Sequence, residues 1–308
     1  MSGRFARFGR QAAAGLEAWR RLVDGVELVL VDDASDPARV RAAAPRLAAR
    51  CDLLLGPYST LLAQAAASAL EDGRSLLWNH GGAGDVGARV ISVPTPAGRY
   101  AEPFLRRVAG PAPLRIVAGR GAFGRAVADG AEALARRLGL DVARSEPGEP
   151  PPAGPYDLLS AGVFEADVAV VRRALAQRTP PRAIWSVAAG VRDFGAAVGA
   201  PNGVYGPAQW FPGAAPPAEL GPDEAAFLAA YGSVPDYPAV QAAAAGVLAR
   251  HCALASGSVA PDALRAAAAA LDASTLFGRF RLDPATGAQV GHETVLVRWG
   301  ADGPAAVL

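Results

Sequence analysis

Short apolar runs alternate with helical patterns along the first part of this 308-residue chain. Strand-like runs occupy residues 26–33, 52–56, 75–80 and 90–93, and helical patterns near 37–50, 60–72 and 98–109 separate or follow them. Near-continuous apolar strands divided by helices are typical of a parallel sheet covered on both faces. The first part of the chain is therefore predicted to form an α/β unit.

The alternation then restarts, which predicts a second α/β unit. Its strands are expected at 114–119, 140–145, 156–162, 183–188 and 203–210, with helices near 123–138 and 165–177. Alanine-rich helices follow near 223–231, 238–256 and 261–271, and residues 277–299 read as a hairpin that turns at 283–287. Ligands of such sheets bind beyond the carboxyl ends of the strands.

Composition excludes several classes of function. Thirty basic and 29 acidic residues leave a net charge of +1, so no electrostatic footprint for nucleic acid is expected. Two cysteines and three histidines without ligand spacing predict neither a disulfide framework nor a metal site. No apolar run is long enough to span a membrane. We expect no cofactor, no metal, no nucleic-acid partner and no membrane span in this chain.

Two successive strand ends carry small, hydrogen-bonding loops. The first is GPYST (56–60), and the second belongs to WNHGGAGD (78–85). Hydroxyls and backbone amides at converging strand ends are suited to a bound anion or carbonyl. Ser59, Thr60, Gly81 and Gly82 are therefore predicted to bind a ligand. His80 lies in the same loop, where a ligand contact and a structural role both remain open.

The alternative of an enzyme depends on a glycine-rich turn. GRGAFG (119–124) follows a strand and opens a helix, and Glu146 stands about 20 residues further on, as in dinucleotide-binding turns. A nucleotide-dependent enzyme is therefore a competing hypothesis. Ser59 does not lie in the G-x-S-x-G pattern of a nucleophilic serine, and Asp32 and Asp33 would point to opposite faces of a strand. No catalytic residue is assigned.

Several segments together resemble one family over essentially the whole chain. They are VDDASDP, LLGPYST, WNHGGAGD, ISVPTPAGRY, YGPAQWFP and TLFGRFRLDPATGAQVGHETVLVRW. In this order they are similar to type I periplasmic binding proteins, in particular the leucine/isoleucine/valine-binding branch of ABC-transporter substrate receptors. The resemblance implies an α/β fold of two Rossmann-like lobes with parallel sheets joined by a three-crossover hinge. Lobe 1 would be 1–97 and 213–272, lobe 2 would be 98–212 and 273–308, and the ligand cleft would lie between them.

The resemblance also implies an element that this sequence lacks. In the family a leader peptide and a strand precede the Ser-Gly that stands here at residues 2–3. We therefore expect the sheet of lobe 1 to be missing its first strand, with a cost in stability. The implied location is extracytoplasmic: the protein would be either periplasmic or a cell-surface lipoprotein.

Family members that bind amino acids hold the carboxylate at positions matching Ser59, Thr60, Gly82 and Ala83. They hold the ammonium with a tyrosine and an acidic residue, where Val163 and Ala189 stand here. Burying an unpaired ammonium costs several kcal/mol. An aromatic ligand, a carboxylate or an amide is therefore expected rather than a free α-amino acid. Aromatic ligand contacts are expected from Phe8, Tyr58, Tyr100, Phe123, Phe164 and Trp210.

The function implied is that of a solute-binding protein of an ABC importer, not an enzyme. It would close on a small organic ligand by a hinge motion and deliver it to a membrane permease. Two alternatives stay open at this point. One is a cytoplasmic, amide-type ligand sensor of the same fold, and the other is the nucleotide-dependent enzyme that uses the GRGAFG turn.

Overall fold

A computed structural model describes residues 1–71, 75–83, 87, 89–150, 152 and 154–307. The chain divides into two compact units. Unit 1 consists of Met1–Pro96 and Pro212–His292, and unit 2 consists of Ala97–Phe211 and Glu293–Leu308. The chain therefore passes from one unit to the other after Pro96, after Phe211 and after His292.

The elements follow the alternation seen in the sequence. The α-helices are α1 (Ala6–Arg20), α2 (Pro37–Ala48), α3 (Thr60–Ala69), α4 (Glu102–Arg107), α5 (Ala122–Arg137), α6 (Phe164–Leu175), α7 (Asp193–Val198), α8 (Glu224–Tyr231), α9 (Tyr237–Ser256) and α10 (Pro261–Ala270). The strands are β1 (Leu54–Leu55), β2 (Leu77–Asn79), β3 (Val90–Ser92), β4 (Leu114–Ala118), β5 (Val142–Ser145), β6 (Asp157–Ala161), β7 (Ala183–Ser186), β8 (Val204–Ala208), β9 (Asp272–Thr275), β10 (Gly278–Arg281), β11 (Val295–Gly300) and β12 (Gly303–Ala306). Short 3-10 turns occupy Ala97–Arg99 and Val187–Gly190.

Each unit contains a parallel sheet. In unit 1, β1, β2 and β3 pair side by side in parallel, and β9 pairs with β10 in a separate antiparallel hairpin. In unit 2, the order is β12-β11-β8-β7-β6-β4-β5, parallel from β5 to β8 and antiparallel at β11 and β12. The parallel α/β architecture predicted from the sequence is confirmed.

Local signals explain where several helices begin and end. The side chain of Asp36 accepts a hydrogen bond from the Ala38 amide at 2.8 Å, and Pro37 occupies the first position of α2. Helix α9 begins after Asp236 and ends at Gly257, which adopts a left-handed conformation with φ of 63°.

Helix α9 forms the centre of unit 1. It is buried along nearly its whole length, which explains why its sequence is apolar around the full circumference. Helix α1 packs against it at two glycines. A Cβ added to Gly15 would lie 2.0 Å from the Ala239 carbonyl oxygen, and one on Gly246 would lie 2.7 Å from the Trp19 ring. Small residues at these positions let the helices pack closely.

Two strand predictions are wrong. Residues 26–33 form no strand, because no neighbouring backbone in the described part of the chain pairs with them. The predicted hairpin over 277–299 forms its turn, where the Gly287 amide donates to the Asp283 carbonyl at 2.7 Å. Next to that turn the Asp283 amide donates to the Ala288 carbonyl and the Val290 amide donates to the Arg281 carbonyl, both at 2.8 Å. The pairing of the two arms stops near the bridge between Leu282 and Gln289 and forms no ladder. Strand β10 instead pairs in antiparallel fashion with the preceding strand β9, and β11 pairs with β8 and β12.

Residues 273–292 lie in unit 1, although the resemblance assigned them to lobe 2. The Ser274 carbonyl accepts hydrogen bonds from the amides of Glu219 and Leu220 at 2.9 and 3.0 Å. The His292 Nδ1 atom and the Thr95 hydroxyl are 2.6 Å apart. These long-range hydrogen bonds attach the segment to unit 1.

Candidate functional site

Two loops of unit 1 meet beyond the carboxyl ends of β1 and β2. They are residues 56–60 and 80–83. Because the two strands are parallel neighbours, both loops leave the sheet at the same edge. The Ser59 amide donates to the Gly81 carbonyl at 3.1 Å and so joins the loops. The structure thus brings together the two segments that the sequence singled out.

A buried asparagine organises the second loop. The Asn79 Oδ1 atom accepts from the amides of Gly81 and Gly82 at 3.1 and 2.7 Å. Its Nδ2 atom donates to the Gly82 carbonyl at 2.6 Å and to the Ser92 hydroxyl at 2.9 Å. The two glycine amides that the sequence analysis offered to a ligand are therefore occupied by a side chain of the protein.

The hydroxyls of the first loop accept hydrogen bonds from the backbone. The Ser59 hydroxyl caps α3 by accepting from the Leu62 amide at 3.3 Å. The Thr60 hydroxyl accepts from the Ala83 amide at 3.2 Å. A hydroxyl has one proton to donate in addition to its acceptor sites. Both side chains can therefore donate to an oxygen atom placed at the N-terminus of α3.

His80 lies beside the first loop and is buried. A Cβ added to Gly56, where φ is 88°, would lie 2.9 Å from the His80 Nε2 atom. No described residue offers a hydrogen-bond partner to the Nδ1 atom. Burial lowers the pKa of His80 to about 4, so the ring is neutral at neutral pH. A buried, neutral and unsatisfied imidazole can bind a polar ligand atom.

Three aromatic side chains form a cluster that includes Tyr58 of the first loop. Phe8 stacks on Tyr58 with ring centroids 4.6 Å apart and planes 16° apart. The Tyr58 hydroxyl makes a short hydrogen bond with the hydroxyl of Tyr237. Burial raises the pKa of Tyr237 well above its usual value, so this phenol stays protonated. Phe8 lies in the first turn of α1.

Asn79 and Tyr237 were both missed by the sequence analysis. An asparagine directly before Gly-Gly at a strand end is a signal that could have identified Asn79, because Asx side chains bond to the backbone two residues on. Tyr237 follows the helix-capping Asp236 and carries no comparable signal. Its partner Tyr58 is 179 positions away in the sequence.

The predicted aromatic contacts of unit 2 occupy different environments. Tyr100 and Phe123 meet edge to face, with centroids 5.4 Å apart. Phe164 packs against a hydrophobic core cluster, and Trp210 is buried. Phe123 and Phe164 begin the helices that follow β4 and β6, which are neighbouring parallel strands, so both lie at the same edge of the sheet.

The two positions that the resemblance predicted to match the ammonium ligands of amino-acid binders carry no charge. Val163 precedes α6 and is half exposed, at 51% of its full accessibility. Ala189 is buried, and its carbonyl accepts a hydrogen bond from the Trp299 indole at 2.8 Å. Neither side chain can bind an ammonium group.

Packing accounts for two glycines of the GRGAFG turn. A Cβ on Gly119 would lie 2.7 Å from the Gly162 Cα atom, and one on Gly124 would lie 2.5 Å from the Ala161 carbonyl oxygen. The glycines therefore let the turn and α5 approach the end of β6. This close approach explains the pattern without a bound nucleotide.

A buried carboxyl group, also missed by the sequence analysis, joins strand ends of unit 2. The Asp167 carboxyl accepts from the Ser160 hydroxyl at 2.6 Å and from the Ala188 amide at 3.2 Å. Burial outweighs these bonds and raises its pKa to about 6. The group holds α6 against the ends of β6 and β7.

Within the described ranges, no group of histidine, cysteine and acidic side chains has the arrangement of a metal site. No described helix has the length and apolar character needed to cross a membrane. Cys51 and Cys252 are both free thiols, and burial raises the pKa of Cys252 to about 11.

Comparison with known proteins identifies the family. The family model described as "Periplasmic binding protein" matches residues 1–304. No curated protein is similar enough in sequence to be matched. Solved structures show the same fold at low sequence identity.

One similar structure is a leucine-binding protein from Thermotoga maritima, with a TM-score of 0.81, 16% identity, and 100% of this chain and 95% of that chain covered. An ABC-transporter substrate-binding protein from Desulfitobacterium hafniense, in complex with leucine, has a TM-score of 0.79 and 17% identity, with 99% and 98% covered. A solute-binding protein from Rhodopseudomonas palustris, in complex with p-hydroxybenzoic acid, has a TM-score of 0.77 and 17% identity, with 97% and 90% covered. The fold predicted from the resemblance is confirmed, and the chain belongs to the periplasmic binding protein family.

Proposed function

We propose that this protein is the extracytoplasmic solute-binding component of an ABC importer and that its ligand is a small aromatic carboxylate. The observation that carries the proposal is that one loop, residues 56–60, supplies two hydroxyls at the N-terminus of α3 and Tyr58, whose ring stacks on Phe8. An aromatic amide has a similar shape and a similar carbonyl group, so the test below includes it as the alternative ligand.

The N-terminus of α3 supports the choice of a carboxylate. The hydroxyls of Ser59 and Thr60 each keep a proton to donate, and the positive end of the helix dipole favours an anion there. The neutral ring of His80 adds a polar group to the same edge of the sheet. Hydrogen bonds to a charged oxygen are among the stronger ones in proteins.

The aromatic pair supports an aromatic ligand. Phe8 and Tyr58 present rigid rings, and offset or edge-to-face contact with a further ring contributes about 1 kcal/mol beyond area burial. Phe123 and Tyr100 of unit 2 are proposed as further aromatic contacts. The relative from Rhodopseudomonas palustris that binds p-hydroxybenzoic acid shows that this fold accepts such a ligand.

The absence of charge at Val163 and Ala189 supports the exclusion of free α-amino acids. In amino-acid binders of the family these positions carry the partners of the ammonium group. An ammonium buried here without a partner would cost several kcal/mol. Leucine and valine are therefore expected to bind much more weakly than a benzoate.

A ligand screen by thermal denaturation tests the proposal. A ligand that binds only the folded chain raises the melting temperature by mass action. We expect an increase with benzoate or p-hydroxybenzoate and none with leucine, valine or NAD. An increase with benzamide alone would favour an amide binder, and an increase with leucine alone would contradict the argument from Val163 and Ala189.

The substitution Thr60→Val locates the binding site. It replaces the hydroxyl by a methyl group of similar volume, so we expect affinity for the benzoate to fall by about tenfold, measured by titration calorimetry. Thr179→Val is the matched control, because Thr179 is exposed in unit 2. Equal affinities for the two variants would show that α3 does not hold the carboxylate.

The cellular role needs its own test. We infer that the two units close on the ligand through a hinge, as in other members of the family, and that a permease receives it. Cell fractionation should find the protein outside the cytoplasmic membrane, and uptake of labelled benzoate should depend on it. A cytoplasmic location with normal uptake in its absence would favour a sensor instead.

A further inference from the structure

Arg115 lies on the core-facing side of an inner strand in the sheet of unit 2. Strand β4 lies between β5 and β6, and Arg115 is opposite Ala143 and Leu158 in these neighbours. Side chains two residues apart on a strand share a face, so Arg115 shares its face with Val117, which belongs to a core cluster with Val171 of α6. Arg115 is half-buried there. A charge that is partly removed from water is costly without a partner of opposite charge.

A cavity of about 60 Å³ lies between this face of the sheet and α6. Val117, Leu158 and Val170 form an apolar part of its lining. Arg115 of β4 and Arg173 of α6 line it as well. A cavity of this volume has room for about four to five water-sized groups. It can therefore hold one small molecule that contacts both arginines and the apolar side chains.

Neither arginine has an ion-pair partner among the described residues. The Arg115 Nη1 atom donates to the Ser145 hydroxyl at 3.3 Å, and the ion pairs that the structure describes in unit 2 involve other arginines. A Cβ added to Gly148 would lie 3.2 Å from the Arg173 Nη1 atom, so this guanidinium lies against the loop that follows β5. A guanidinium has five N–H donors. Both groups therefore keep donors for a bound anion.

Two carboxylates of the same loop do not replace such an anion. Glu146 and Glu149 also line the cavity, but both are exposed, and neither forms an ion pair with a described arginine. The Glu149 carboxylate instead accepts a hydrogen bond from the Glu146 amide at 3.1 Å. Exposed carboxylates are well solvated and contribute little to a neighbouring cation. The partner of the half-buried Arg115 is therefore expected to come from outside the chain.

The chemistry and the size of the cavity favour one class of anion. A guanidinium can bind a carboxylate through two parallel hydrogen bonds. The apolar side chains of Val117, Leu158 and Val170 can cover a short aliphatic group. We propose that this cavity is a second ligand site, which binds a short aliphatic carboxylate of about the size of propionate. Its carboxylate contacts Arg115 and Arg173, and its carbon atoms contact the apolar side chains.

The cavity is separate from the edge of the sheet that carries Phe123 and Phe164. Phe164 is the first residue of α6, and Arg173 follows it by nine residues in the same helix. A helix rises 1.5 Å per residue, so the two positions lie about 14 Å apart along its axis. The second site therefore uses none of the residues proposed to bind benzoate.

Amide NMR spectra of the whole chain test the proposal. Propionate is titrated against sodium chloride at equal ionic strength. We expect saturable shift changes in unit 2 at residues 115–117, 145–149 and 170–177. Changes confined to residues 56–60 and 80–83, or changes that chloride reproduces, would overturn the site. Tighter binding of inorganic phosphate at the same residues would overturn the choice of an aliphatic carboxylate.

Substitutions of the two arginines locate the bound carboxylate. Arg115→Gln should weaken propionate binding by about tenfold or more, because a charge-assisted hydrogen bond is lost. Arg173→Gln changes an exposed position, where folding is not at risk, and should weaken binding by at least about threefold. Arg137→Gln is the matched control, because Arg137 is exposed in unit 2 and does not line the cavity. Equal affinities in all three variants would contradict the site.

Benzoate separates this site from the candidate site of unit 1. Its ring is too large for a cavity of about 60 Å³. We therefore expect Arg115→Gln to leave the affinity for benzoate unchanged and Thr60→Val to leave the affinity for propionate unchanged. Weaker propionate binding in Thr60→Val alone would place propionate in unit 1 and overturn the second site. The propionate titration remains decisive even if benzoate does not bind, so the two proposals can fail separately.

Discussion

At the scale of single residues, Asn79 has the largest structural role near the candidate site. Its side chain is fully buried and makes four hydrogen bonds, to Gly81, Gly82 and Ser92. The amides that it satisfies could otherwise be left without partners, which costs more than the net gain of a hydrogen bond. Asn79 therefore fixes the loop that follows β2.

Replacing this side chain should be costly. Asn79→Ala leaves two glycine amides unsatisfied, so we expect unfolding free energy to fall by about 2 to 4 kcal/mol in urea denaturation. Asn202→Ala is a control at an exposed asparagine of unit 2 and should change stability by less than about 0.5 kcal/mol. A loss under about 1 kcal/mol for Asn79→Ala would mean that water replaces the side chain and that the amides are open to a ligand after all.

At the scale of elements, the two site loops are held by close backbone approach. A Cβ at Gly81 would lie 2.5 Å from the Tyr58 Cα atom and 2.8 Å from the Pro57 carbonyl oxygen. Both atoms belong to the backbone, so neither can rotate away. The relative position of the loops after β1 and β2 thus depends on the absence of a side chain at Gly81.

Gly81→Ala should therefore separate the loops. We expect a loss of stability of at least about 2 kcal/mol, because main-chain atoms must shift, together with loss of benzoate binding. Gly121→Ala provides the comparison, since no atom lies within 4 Å of its added Cβ and its φ is −73°. A ligand affinity unchanged by Gly81→Ala, measured by calorimetry, would rule out a site that needs both loops.

At the scale of the whole molecule, a buried group of each unit has its pKa shifted within the acidic range, His80 in unit 1 and Asp167 in unit 2, and the two shifts have opposite effects on stability. In unit 1, the pKa of His80 falls from 6.5 to about 4 on folding because of burial. The unfolded chain then binds more protons, so stability is lost as pH falls from 6.5 through 4. In unit 2, the pKa of Asp167 rises from 3.8 to about 6, so stability is lost as pH rises from 3.8 through 6.

Two substitutions should reveal these opposing effects. His80→Gln should remove the destabilisation by acid, up to about 3 kcal/mol at pH 4, and flatten that side of the stability curve. Asp167→Asn should remove the loss of stability that occurs as pH rises from 3.8 through 6. The stability of this variant should therefore change less than that of the wild type over this range. Urea denaturation from pH 4 to pH 7 measures both. Parallel curves for the wild type and either variant would contradict the corresponding shift in pKa.

The sequence by itself determined the local elements and the class of fold. Strand and helix alternation, the cap at Asp36 and the glycine that ends α9 depend on residues close together in the chain, so periodicity and capping rules identify them. The resemblance of several segments to one family extended this to two lobes. The GPYST and NHGG loops were also visible, because parallel strand ends are where binding loops occur.

Only the tertiary structure decided which groups those loops leave available. Asn79 occupies the glycine amides, and Tyr58 finds its hydroxyl partner in Tyr237, far away in the sequence. Residues 26–31 have the composition of a strand, yet a strand exists only where a second backbone lies alongside to share its hydrogen bonds. Pairing across long separations is not encoded in any local pattern, which is why the structure was needed to find it.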